Sequence, residues 1–292
     1  TRPPDVLITT PESLFLLLTS AAREALRGID TVILDEVHAV AGTKRGAHLA
    51  LSLERLDDLL DSPARRIGLS ATVRPLEEVA RFLGGSREVE VVAPPSDKRI
   101  ELEVVVPVDD LGALGDSAAP SEDGSPAAGT SIWPHVEERV VDLVASHRST
   151  LIFANSRRLA ERLTARLNEI WHERLTGEVL DTVGAPAAVM AQAGSSGGAD
   201  AVLARAHHGS VSKEQRALIE DDLKSGRLPA VVATSSLELG IDMGSIDLVV
   251  QVESPPSVAS GLQRVGRAGH QVGAVSHGVV FPKFRGDLVQ AA

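Results

Sequence analysis

Asp35, Glu36 and His38 arrive together at the end of an apolar run, in the stretch "TVILDEVHAV". An aspartate at the C-terminal end of a strand can hold a nucleotide's magnesium ion, and a neighbouring glutamate can polarise an attacking water. Read alone, an acidic pair is equally an ordinary solvated turn. A bare divalent-metal site asks for more ligands, and none stands at the required spacing.

Two further stretches of the first half offer hydroxyls. "GLSATV" carries Ser70 and Thr72 after an apolar run, and "TTPESL" carries Thr10 at a helix start. Both are common capping chemistry, although a helix N-terminus also receives phosphates. In the second half, "ATSSLELGIDMG" sets Thr234, Ser235 and Ser236 at a helix N-terminus, with Gly240 and Asp242 following. "SGLQRVGRAGH" then spaces Gln263, Arg264, Arg267 and His270 roughly one helical turn apart, a spacing that points them the same way. Gly266 and Gly269 weaken a helix by about 1 kcal/mol each, which suggests that something approaches the backbone there.

The elements that must position these groups are α/β in character. "DVLITT", "TVILDE", "RRIGLSAT" and "EVEVVA" read as strands, with Val32, Ile33 and Leu34 buried on both faces. Between them, "PESLFLLLTSAAREALRG", "GAHLALSLERLDDLL" and "PLEEVARFLGG" read as helices, so the sheet is parallel. Residues 94–131 are a connector, rich in Gly, Ser, Pro and acid from about Val108. A second α/β series follows over 132–292: the strand "STLIFA", a helix capped by Asn155, an insertion at about 176–200, then "VLARAHHGS". A capping box at Ser212–Gln215 opens the next helix, and "PAVVATS" and "SIDLVVQVES" are buried strands. The first lobe is expected over 1–93.

Composition bounds the function. At 292 residues the chain can bury two cores, and 43% hydrophobic with 24% charged residues is globular. A net charge of −11 excludes a generic polyanion coat, and 2% aromatic residues exclude extensive base stacking; a bound strand would be held by its phosphates. The absence of cysteine fits a cytoplasmic setting, and no apolar run is long enough for a membrane span.

The order of the motifs decides among readings. T-P-E-S, D-E-V-H, S-A-T, "FANSRR", "ATSSLELGID" and Q-R-x-G-R-A-G-H resemble motifs Ib, II, III, IV, V and VI of superfamily 2 helicases. "AHHGSVSKEQR", "SLELGIDMG" and "QRVGRAGH" look most like the Lhr (large helicase-related) group. The resemblance implies two RecA-like (P-loop NTPase) lobes with parallel sheets, which clamp ATP and grip single-stranded DNA or an RNA:DNA hybrid through its backbone phosphates. It implies that Asp35 holds Mg2+, Glu36 activates the hydrolytic water and Arg267 is the arginine finger. His38, Ser70 and Thr72 would couple the ATP site to the strand. Gly240, Asp242, Gln263, Arg264 and His270 would line the ATP and interdomain region. Thr10, Ser156, His208, Gly209, Ser210 and Thr234 would face the nucleic acid.

Two departures qualify this. His270 stands where many superfamily 2 members have a third arginine, and no G-x-x-x-x-G-K-[ST] loop is present. The family places that loop before residue 1, so the first lobe is expected to be incomplete at its N-terminus and the chain to be a piece of a DNA-repair helicase, inactive by itself. The alternative is a non-catalytic RecA-like module that binds nucleic acid or protein.

Overall fold

Short apolar runs and amphipathic helices alternate along the chain, and the computed structural model builds two parallel sheets from them. It describes residues 4–71, 73–94, 99–108, 132–178, 202–238, 246–269 and 274–292. The chain divides into two compact units, Thr1–Pro95 and Ser96–Ala292.

In the first unit, α1 (Pro11–Leu18) starts where Thr10 Oγ1 accepts from Ser13 N–H and proline fills the first turn. The single long helix expected to run on to Gly28 stops at Leu18. Thr19 and Ser20 turn their hydroxyls onto the carbonyls of Phe15 and Leu17, and a 3-10 turn, Ala21–Leu26, follows. β1 (Thr31–Leu34) leads through α2 (Val37–Ala41) into α3 (Lys44–Leu59), then β2 (Arg65–Gly68) and α4 (Leu76–Gly84). β1 and β2 pair in parallel from Thr31↔Arg65 to Leu34↔Gly68. Leu34 joins Leu14, Leu18, Leu49, Leu53, Leu56 and Leu83 in one core.

Ile33 corrects the expectation of a strand buried on both faces, being 62% exposed. Side chains alternate along a strand, and the core of α1, α3 and α4 covers only the face that Leu34 occupies. The expected strands at residues 5–10 and 88–93 form no ladder; Val6 and Ile8 are exposed.

The second unit is a six-stranded parallel sheet. Its strands are β3 (Arg99–Val104), β4 (Thr150–Ala154), β5 (Ala204–His207), β6 (Ala230–Ala233), β7 (Leu248–Val252) and β8 (Val275–Phe281), in the order β3-β8-β7-β4-β6-β5. β3 corrects the connector reading of 94–131, since it pairs with β8 from Arg99↔Val275 to Val104↔Val280. As an edge strand that is almost wholly exposed, it carries no buried apolar run to announce it. The helices are α5 (Trp133–Ser146), α6 (Arg157–Thr176), α7 (Lys213–Lys224), α8 (Val258–Val265) and α9 (Arg285–Ala291). β4, β6 and β7 are buried along their whole length. One face packs on Val140, Val144, Leu163 and Leu167, the other on Ile219, Leu223 and Val265. Because every ladder is parallel, the C-terminal strand ends share one edge, where open α/β sheets present their ligand sites.

Candidate nucleotide and nucleic-acid sites

β1 ends at Leu34, and the chain turns sharply at the acidic pair. Glu36 takes φ 49° and ψ 43°, a left-handed conformation that costs a non-glycine residue about 1 kcal/mol or more. Asp35 Oδ1 accepts from Glu36 N–H at 3.0 Å, and Val37 N–H donates to Leu69 O at 3.0 Å. These bonds hold the turn against the loop that follows β2. The Asp35 side chain is exposed, and Oδ2 bonds to no described residue.

His38 closes the link. Its Nδ1 accepts from Ala71 N–H at 3.3 Å and lies 3.1 Å from Ser70 Oγ. That assigns the proton of a neutral ring to Nε2, which sits 3.6 Å from Glu36 Oε2. Glu36, His38 and Ser70 therefore form one cluster from two motifs. Thr72 lies outside the described residues. Thr10 is exposed at the start of α1, which Glu12 ties to the start of α3 by a bidentate pair with Arg45. That guanidinium holds the Glu12 carboxyl down at about 2.

In the second unit the capping residue of α6 is Ser156, whose Oγ accepts from Leu159 N–H, and not Asn155. Asn155 instead donates to Ser254 O and accepts from Arg264. Gly209 and Ser210 form an exposed turn after β5, and Arg157 Nη1 donates to Ser210 Oγ at 2.7 Å. His208 is buried: Nε2 meets Glu161 at 2.5 Å, and Nδ1 accepts from Ser210 N–H. Its ring braces the turn from inside and does not face outward with Gly209 and Ser210. His207, fully buried, bridges Glu220 Oε1 at 3.0 Å and Ser236 Oγ at 2.8 Å. Burial pushes its pKa below the ordinary histidine value. Thr234 N–H donates to His207 O, so the loop after β6 hangs on the same histidine.

Gln263, Arg264 and Arg267 do not point the same way. α8 ends at Val265, and the chain tightens through Arg267 N–H to Arg264 O and Ala268 N–H to Val265 O. Arg264 turns inward, 2% exposed, and donates to Asn155 Oδ1, Gln251 Oε1 and Glu238 Oε2 over the Phe153 ring. Arg267, half-buried, donates to Glu238 O at 2.6 Å, and Gln263 is half-exposed. The close approach expected at the glycines is made by the chain itself: a Cβ on Gly269 (φ +60°) would stand 2.4 Å from Val275 O. Gly240, Asp242 and His270 lie outside the described residues.

Sequence reasoning missed the Glu238 and Gln251 partners of Arg264. A polar glutamine inside the apolar run "DLVVQVES" was the available signal. Among the described residues no group of His, Cys, Asp or Glu is arranged to hold a metal by itself, and no helix is long and apolar enough to cross a membrane.

Residues 1–80 match the DEAD/DEAH box helicase family, and residues 194–271 match the helicase conserved C-terminal domain. The chain is 67% identical over 297 residues to a Lhr helicase/probable uracil glycosylase of Mycolicibacterium smegmatis and 59% identical to a Lhr helicase/uracil glycosylase of Escherichia coli. A solved structure of the Mycobacterium smegmatis helicase Lhr, bound to ssDNA and AMP-PNP, matches with TM-score 0.79 and 64% identity. That match covers 99% of this chain and 33% of that one.

The chain belongs to the Lhr helicase family. All of it aligns, yet it spans only 19% of the length of the two Lhr relatives named. Its α/β units are RecA-like, as in the solved Lhr structure.

Proposed function

We propose that the protein is an ATP-dependent helicase or translocase that moves along single-stranded nucleic acid. The tie from Glu36 through His38 to Ser70 carries this reading. A solvated acidic turn needs no strained backbone and no link to a second loop, whereas a hydrolase that answers to a bound strand needs both.

An ATP–magnesium complex supplies the phosphoryl bond and the charge that steadies its oxygens. The residues fit it: Asp35 offers an exposed carboxylate oxygen to the ion, and Glu36 is held beside it by the turn. Glu36 orients the attacking water and accepts its proton. Arg267 supplies positive charge for the γ-phosphate, while Gln263, Gly240, Asp242 and His270 keep the nucleotide-side roles the family resemblance gives them. Arg264, spent on Glu238, Gln251 and Asn155, works by holding Glu238, whose carbonyl receives Arg267.

Thr10, Ser156, Gly209, Ser210 and Thr234 meet the nucleic-acid backbone, and His208 braces the Gly209–Ser210 turn. The nucleic acid is single-stranded DNA or an RNA:DNA hybrid, in a DNA-repair setting. The test is Glu36→Gln in the full-length protein: it should bind a non-hydrolysable ATP analogue and a single strand like the wild type, yet lose hydrolysis.

A further inference from the structure

Arg162 lies on the second turn of α6, with its guanidinium carbon 4.3 Å from the centroid of the Trp133 ring at the start of α5. Lys283, just past β8, brings its ammonium within 5.9 Å of the same ring. Trp133 opens α5, Arg162 sits near the start of α6, and Lys283 follows the end of β8. All three therefore belong to the C-terminal edge of the sheet, with the Ser156 cap.

The partners are unequal. Lys283 is paired with Glu253 at 3.1 Å. Arg162 is exposed, and its donors make no hydrogen bond or ion pair to any described residue. Glu137 is close enough to feel its charge but is itself bonded to Arg166. Arg158, four residues before Arg162 on the same helix, is also exposed and without a partner among the described residues.

Stacking fixes the plane of a guanidinium while leaving its edge donors open, so the group is already oriented for a phosphate. In a chain of net charge −11, two exposed arginines one helical turn apart, neither paired with a carboxylate among the described residues, make a local basic spot. We propose that Arg162, held by Trp133 and flanked by Lys283 and Arg158, is a docking station for a phosphodiester of the bound strand, beyond the Ser156–Ser210 patch. The proposal rests on the nucleic-acid reading above and adds a contact that reading does not contain.

The test is equilibrium binding of a labelled oligothymidylate by the full-length protein across a salt series. Arg162→Ala should weaken binding about fivefold to tenfold and flatten the plot of log affinity against log salt by about 0.7, the share of one single-strand phosphate. Arg162→Lys keeps the charge, so it should keep the slope while losing part of the affinity. Arg162→Ala with wild-type affinity and slope overturns the station. Wild-type slope with a lowered melting temperature overturns it too, by making Arg162 a packing group for Trp133. If the wild type shows no salt-dependent binding at all, the nucleic-acid reading fails and the station fails with it.

Discussion

His38 Nδ1 lies 3.1 Å from Ser70 Oγ, joining the first turn of α2 to the loop after β2, 32 residues away in sequence. α2 and that loop follow β1 and β2, the two strands of one parallel pair. One imidazole ring therefore stands between Ser70 and Glu36, 3.6 Å from the glutamate Oε2.

If Ser70 couples the ATP site to the strand as proposed, removing its hydroxyl should weaken that coupling without emptying the site. Ser70→Ala in the full-length protein is expected to leave the KM for ATP within about twofold and to lower strand-stimulated turnover about tenfold or more. Steady-state ATPase assays with and without a single strand check this; equal losses in both would make Ser70 a general structural residue.

Arg264 is expected to be a stability residue. Arg264→Ala leaves Glu238, Gln251 and Asn155 without their partner in a buried site, a loss of about 3–5 kcal/mol. Arg264→Lys should not rescue it, because an ammonium cannot serve three acceptors in a guanidinium's plane. Denaturant unfolding, followed by the signal of the second unit, measures both.

His207 gives the fold an acid sensitivity. Its pKa is lowered by burial, while Glu220 opposes that shift and the charge of Arg216 adds to it. The unfolded chain then binds the proton more readily than the folded one. This contribution is whole above the ordinary value of 6.5 and is lost as pH falls below it. His207→Gln should flatten the fall in melting temperature between about pH 7 and about pH 5. An unchanged slope would place the acid sensitivity elsewhere.

The strands legible in the sequence were those that packing makes apolar without interruption. β4, β6 and β7 are buried throughout, and their runs of Val, Ile, Leu and Ala say so. The Ser212 cap of α7 was equally plain, because its partner Gln215 lies three residues on. β3 and β8 were not legible: one is an exposed edge with alternating acids, and the other is broken by His277 and Gly278. At the site, residue types pointed to Asp35, Glu36 and the arginines, but spacing alone could not orient them. Helical periodicity puts Arg264 and Arg267 on one face. The helix ends between them, and a buried Gln251 from β7 draws Arg264 inward. His208 misled for the same reason, since its partner Glu161 comes from a different element, 47 residues away.

On the proposed mechanism Glu36, held in a strained turn beside Asp35, activates the water that cleaves ATP. Single-turnover ATP hydrolysis by full-length Glu36→Gln, in saturating single strand, measures that step alone. The expected result is a loss of about a hundredfold or more, the scale of general-base catalysis, with nucleotide and strand affinity retained. Hydrolysis at the wild-type rate would remove Glu36 from the role of general base.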